Sequence, residues 1–448
     1  MLNYQGLAAL RLGELDQYVT CLERGIEGAL AINSKKRLQE AFTIYQQVPR
    51  HWRDEPRMKQ VIERFHLSVG GINQVPAHRI LLVGLGKLGA HLFDLLVRLP
   101  GHCTFLVGGR NLDYLRQRTN LSLLTAIQLG YSPEVACAPI DLWNIEQTAE
   151  VISRFRPDLI VCSATLAQWE RAVRLPAHLT ERLAMAPMGP RLPFHLTLVY
   201  NLMRAVRASG QTITVINAIY PDVVNPILAK VHLNPTCGIG DLSNNVPALR
   251  KAIAVHLHVA VEQVEVRLVM ARYVSYWMSR RSVMGTPFHF VALVNGENVT
   301  PRLDTAAIFA QVPTTFKRIG GPAGLLMTAA SGMVLIEGIV NRTPCLTHAP
   351  GPHGLPGGYP VSVDGREVAV VLPDDLSMEA ALSINQAGLR LDGIEKIDPD
   401  GTVYFTEEAM ALLKETLGYE CRRMPLAEVE YWAQELRTRY LAVGQQVD

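Results

Sequence analysis

One short stretch constrains this chain more than any other: Ile80-Leu-Leu-Val-Gly84-Leu-Gly86-Lys87-Leu88-Gly89, continued by the helix-forming His91-Leu-Phe-Asp-Leu-Leu-Val97. Gly84 permits a tight turn out of a strand, Gly86 lets backbone approach a bound group with no Cβ between them, and Gly89 lets the helix pack close to the sheet. The start of a helix offers unpaired N–H groups and partial positive charge. Strand, glycine turn and helix in that order therefore point to the diphosphate of a dinucleotide, with Lys87 and Leu88 beside it.

The surrounding texture agrees. Apolar runs at 79–86, 103–109, 135–140, 158–164 and 212–219 alternate with helical segments. Continuous apolar strands separated by helices are buried on both faces, which makes a parallel sheet wound with helices. The expected fold class is α/β, a doubly wound Rossmann sheet over 78–230. An α+β substrate and assembly domain over 231–448 follows it, with strands in 264–273 and 288–296, a long helix over 323–341, and a Pro/Gly-rich segment, 348–363, too punctuated for a regular element. A small all-α module, residues 1–70, precedes both; Ser68–Pro76 reads as a linker.

In such sheets ligands lie at the carboxyl ends of the strands. The remaining cofactor contacts are therefore expected at Gly109, Arg110 and Asn111 and at Ser163, Ala164 and Thr165. The second strand ends Val107-Gly108-Gly109-Arg110-Asn111, with no acid before Asp113 to receive ribose hydroxyls. Arg110 is suited to a 2′-phosphate, so NADP(H) is expected over NAD(H). The competing reading has Arg110 stacking on adenine or capping the next helix.

With 43 Lys plus Arg against 41 Asp plus Glu, no global field recruits nucleic acid or an acidic membrane. Seven scattered cysteines with no CxxC pair argue for reduced thiols in a cytoplasm, and no metal is expected. The N-terminus lacks the pattern of a signal peptide, and no stretch reads as a membrane span.

Several stretches resemble known families. Gly6-Leu7-Ala8-Ala9 with Leu12-Gly13, then Ala41-Phe42 and Tyr45, resembles a tetratricopeptide array of about one and a half units, implying a possible protein partner for these helices. Val161-Cys-Ser-Ala-Thr165, the loop 185–193 with Arg191, the helix after it, and Asn217-Ala-Ile-Tyr-Pro-Asp222 resemble the lactate and malate dehydrogenase superfamily over roughly residues 78–420. That resemblance implies Arg191 toward a substrate carbonyl or carboxylate, Asn217 holding the nicotinamide or substrate oxygen, and a homodimer or homotetramer. The family's His–Asp pair is missing: Asn244-Asn245-Val246 and Met270-Ala271-Arg272-Tyr273-Val274 stand in its places. The Val-Gly-Gly-Arg-Asn run resembles saccharopine-dehydrogenase-like reductases, which handle imines and need no alcohol-type His.

Five candidates for catalysis follow: Arg191, Asn217, His195, Arg272 and Tyr273. His195, one turn beyond Arg191, is the acid/base candidate, with a satisfied buried imidazole as its rival. Arg272 and Tyr273 occupy the family's catalytic segment, though Tyr273 in an apolar strand also reads as core. The expected function is an NAD(P)-dependent oxidoreductase passing hydride between nicotinamide and a carbonyl or imine carbon of a small anionic substrate. The rival is a non-catalytic dinucleotide sensor or scaffold signalling through its helical extension.

Overall fold

The computed structural model describes residues 2–31, 37, 41, 44, 45, 48, 52, 55–68, 78–99, 103–341 and 344–446. They form two compact units, divided before His78. The first contains helices α1 (Leu2–Leu12), α2 (Leu15–Ala31) and α3 (Pro56–Ser68). Tyr18, Val19, Leu22, Ile26 and Ala29 recur at helical spacing on α2 and are buried against Ala9, Trp52, Met58 and Val61. Beyond Ser68, the expected linker lies outside the described residues. So does Phe42, part of the tetratricopeptide-like pattern.

In the second unit, β1 (His78–Val83), β2 (Cys103–Gly109), β3 (Glu134–Pro139), β4 (Leu159–Cys162), β5 (Thr214–Asn217) and β6 (Cys237–Gly238) form one parallel sheet in the order β3-β2-β1-β4-β5-β6. This is the Rossmann arrangement. The period of two along β1 explains its composition: Leu81 and Val83 enter one core, Ile80 and Leu82 the other. Both faces are therefore apolar. Helices α4 (Lys87–Leu96), α5 (Leu112–Gln128) and α6 (Ile145–Phe155) connect the first four strands, and α7 (Leu192–Ala208) leads into β5. After β5 comes α8 (Pro221–Ala229), and after β6 comes α9 (Val246–Leu257).

A second, antiparallel sheet is built from β7 (Val264–Met270), β8 (Phe288–Val294), β9 (Glu297–Asn298), β10 (Cys345–Pro350), β11 (Gly358–Asp364) and β12 (Glu367–Val370). Helices α10 (Arg272–Met278), α11 (Gly321–Asn341), α12 (Met378–Leu391), α13 (Glu407–Leu417) and α14 (Val429–Val443) belong to the same unit. The C-terminal helices return to the first sheet, where the Tyr440 ring lies 6.1 Å from that of Phe194.

Four expectations change. Residue 230 is no break, because β6 joins the parallel sheet after it and side chains as late as Tyr440 share its core. The strand expected through Tyr273 ends at Met270: the Arg272 N–H donates to Asp222 Oδ2 at 2.5 Å and the chain turns into α10. The Pro/Gly-rich segment forms β10 and β11, whose hairpin tolerates Pro350 and Pro360. Helix α11 is long and apolar enough to cross a membrane, with a mean hydropathy of 1.8. Here Gly332, Met333 and Ile336 bury it in the same core as Leu92 of α4, and a Cβ on Gly332 would stand 3.4 Å from Leu92.

Leu92 is fully buried at that junction. Leu92→Ala is expected to destabilise the unit by about 2–5 kcal/mol, seen as a lowered urea midpoint with unchanged slope.

Candidate functional site

The carboxyl ends of β1, β2, β4 and β5 open onto a cavity of about 1230 Å³. Its upper part is the glycine turn. Gly84 has φ +93, and a Cβ on it would stand 2.9 Å from the Ala164 backbone nitrogen. A Cβ on Gly89 would lie 2.2 Å from the Gly84 carbonyl oxygen, so α4 meets the sheet only because that carbon is missing. Gly86 faces open space and caps α4 without a side-chain hydrogen bond, leaving the first N–H groups directed outward. Ser163 Oγ donates to the Gly84 carbonyl at 2.8 Å, tying β4 to the turn.

Ten of the eleven expected cofactor positions line this cavity: Gly84, Gly86, Lys87, Leu88, Gly109, Arg110, Asn111, Ser163, Ala164 and Thr165. Gly89 lies buried behind them as the packing glycine. Arg110 is exposed at the end of β2, and Asn111 Oδ1 accepts the Tyr114 N–H, so the capping role falls to Asn111. An uncapped helix start, Lys87 in its first turn and an exposed guanidinium after β2 together fit a dinucleotide phosphate group.

At the opposite end Asp241 lines the cavity, with Asp222 and Asp392 behind it. Tyr220, at φ 45, turns β5 into α8 and places Asp222 in that helix's first turn; Gly240 and Asp241, at φ 88 and φ 49, turn the chain after β6. Asp222 is 1% exposed, with its Oδ2 accepting the Arg272 N–H and its carboxyl paired with that of Asp241. Beside it stands Asp241, which lines the cavity. Burial, reinforced at Asp222 by the neighbouring carboxyl, holds both well above the usual carboxylate range.

Arg272 fixes the pair from behind. Its N–H serves Asp222, while its Nη1 donates to both oxygens of Asp392 at 3.1 and 2.9 Å. Tyr220 Oη donates to Asp392 at 2.8 Å; burial and that carboxylate hold the phenol protonated. His195 lines the cavity edge, with Nδ1 3.4 Å from Thr165 Oγ1 and its ring 5.8 Å from that of Tyr220.

Of the five expected catalytic residues, His195 and Arg272 therefore reach the cavity and three do not. Arg191 is bound to Glu170 at 3.1 Å and to the Ala186 carbonyl at 3.2 Å, and lines a second, smaller cavity with Arg272 and Tyr273. Asn217 is fully buried: its amide serves the Ile219 carbonyl and Asn225, and its oxygen accepts the Ile219 N–H, so it caps the turn after β5. Tyr273 lies on α10, packed against the core under the antiparallel sheet. Sequence reasoning passed over Tyr220, Asp222, Asp241 and Asp392. The first three sit in stretches that end in Pro-Asp and Gly-Asp turns, a local signal; Asp392 has none.

No protein-family model matches the chain, and no curated protein is found similar to it. Solved structures that resemble it include the lactate dehydrogenase of Eimeria maxima with NADH and oxamate, 14% identical over 70% of this chain and 93% of that one, with TM-score 0.48. Others are the malate dehydrogenases of Plasmodium falciparum (14%, 70% and 96%, 0.47) and Aeropyrum pernix (15%, 70% and 97%, 0.48). Likenesses this distant carry no argument about chemistry, which rests on the side chains above.

Carboxyls raised by folding keep protons that the unfolded chain has lost, so their contribution to stability falls as pH rises from about 4 to about 7. His348, pushed down to about 3 by burial, works in the opposite sense as the chain is acidified. The informative quantity is thus the difference between Asp241→Asn and the parent. Urea midpoints are expected to shift in favour of the variant as pH rises, whereas a pH-independent difference would show that Asp241 is an ordinary carboxylate.

Proposed function

We propose that this chain is an NAD(P)-dependent oxidoreductase acting on a carbonyl or imine carbon, with NADP(H) preferred. The observation that carries the reading is that one cavity holds both a glycine cradle for a dinucleotide and, at its other end, the carboxyl of Asp241, backed by the buried Asp222. Gly84, Gly86 and Lys87 would hold the diphosphate, and Arg110 the 2′-phosphate. A bound nicotinamide dinucleotide supplies or accepts hydride.

The rest is the work of the chain's own groups. The Asp222–Asp241 pair gives or takes the proton at the substrate heteroatom, a task for which a raised pKa is suited. Arg272 positions the pair through its N–H, and Asp392 balances its charge. This division supports enzyme over sensor, because a site that only bound a dinucleotide would gain nothing from a carboxyl with a raised pKa on its wall and a second one buried beside it.

Arg191 and Arg272, the two cations expected to meet an anionic substrate, are each paired with a carboxylate, so a substrate anion would share them with Glu170 and Asp392.

Fluorescence titration of the purified chain with NADPH and NADH tests the reading. Arg110→Ala is expected to weaken NADPH by about tenfold or more, roughly 1.4 kcal/mol, and to leave NADH within about twofold. An unchanged NADPH affinity would end the 2′-phosphate assignment, and no response to either nucleotide would end the oxidoreductase reading.

A further inference from the structure

We infer that the open edge of the parallel sheet is an interface with a second copy of this chain, in which β3 pairs antiparallel with β3 of the partner across a two-fold axis. None of the groups assigned to the dinucleotide belongs to it.

The strand comes first. β3 ends the order of its sheet, and among the described residues no strand pairs with its outer side. The Ile140 N–H donates to the Gly109 carbonyl, and along a strand successive residues direct their bonding groups to opposite sides. Ala136 and Ala138 are thus bonded toward β2, whereas Val135 and Cys137 offer N–H and C=O at the open edge and Pro139 offers C=O alone. Natural edges are commonly blunted by charged side chains. β3 carries one, Glu134, at its first position.

The surface beside the edge is apolar. Helix α5 lies over β3, where the Cys137 thiol meets Thr119 Oγ1 at 3.5 Å. Its outer side and the turn after it bare Leu121, Leu124, Ile127, Leu129 and Tyr131, each between 40% and 64% exposed. From 119 to 133 no residue is charged. Five half-bare side chains of this size present roughly 400 Å², against about 300–600 Å² for the largest apolar patch of a typical monomer. Two copies would cover about 800 Å² between them, and the paired strands bring the total toward the roughly 1,200 Å² at which standard interfaces begin.

A second copy is the occupant that the edge itself specifies. A face without charge holds nothing that would steer or select an acidic or basic partner. With Ala136 opposite the partner's Ala136, Val135 exchanges both of its hydrogen bonds with the partner's Cys137, and the two-fold axis repeats the exchange. Centring on Cys137 instead would aim the Pro139 ring at the carbonyl of the partner's Val135. The small side chains of Ala136 and Ala138 let the strands approach, while Leu124 and Ile127 meet their counterparts above the sheet. Such a pairing closes on itself, so that neither β3 is left open to a third chain.

Sedimentation velocity on the full chain over a range of concentrations is expected to show a reversible dimer. Leu124→Glu, at an exposed position where the urea midpoint is expected to hold, weakens dimerisation by at least about tenfold. Cysteine substitution reads the register. Ala136→Cys places two thiols in a non-hydrogen-bonded pair with Cα atoms about 4.5 Å apart, within disulfide reach, and a cross-linked dimer is expected on mild oxidation. In the same register Glu134→Cys stands about 14 Å from its counterpart, four residues out of step, and no cross-link is expected. A chain that sediments as a monomer at every concentration, a dimer indifferent to Leu124→Glu, or a cross-link as abundant from Glu134→Cys as from Ala136→Cys would each overturn the inference. Should a cysteine variant fold poorly, Leu124→Glu still decides.

Discussion

Everything at the upper end of the cavity depends on how closely one helix can approach one sheet. Any side chain at residue 89 would meet the Gly84 carbonyl, and any at residue 84 would meet the backbone at Ala164. These contacts are between backbone atoms, which cannot step aside as a flexible side chain would. Without the approach, α4 would stand off, the Ser163 hydroxyl would lose its carbonyl, and the first N–H groups of the helix would no longer converge on the place that Arg110 overlooks.

The lower end depends on a different balance. Arg272 is largely enclosed, and an enclosed guanidinium is tolerated only with a well-placed counterion. Asp392 supplies it in bidentate form, and the Tyr220 hydroxyl and Met188 N–H complete the hydrogen bonding of that carboxylate. This arrangement settles the guanidinium and leaves Asp222 and Asp241 to each other. The raised pKa values of these two carboxyls thus follow from burial and from where the positive charge has already been committed.

What the sequence disclosed divides along the same line. The glycine cradle was legible because its requirements are local: each glycine answers to a neighbour within a few residues or to the strand beside it. The alternation of apolar runs disclosed the parallel sheet for the same reason. Arg191 misled because a cation in a Pro/Gly loop looks available, and nothing nearby in sequence announces Glu170 as its partner. Asn217 misled because a strand-end amide can face a ligand or close its own turn, and only the positions of Ile219 and Asn225 distinguish the two. The strand expected through Tyr273 was apolar enough to continue; a tertiary hydrogen bond to Asp222 stops it. Arg272 was picked out, but as a cation awaiting an anion, since its counterion lies far along the chain.

That distance has a consequence for how the molecule comes into being. Asp392 reaches back 120 residues to Arg272, 172 to Tyr220 and 204 to Met188. A polypeptide growing from its N-terminus can complete all six parallel strands, and with them the glycine cradle, while the residue that neutralises Arg272 is still unmade. The two ends of one cavity would then mature at different times, the nucleotide end early and the carboxyl end only after the last third of the chain has docked.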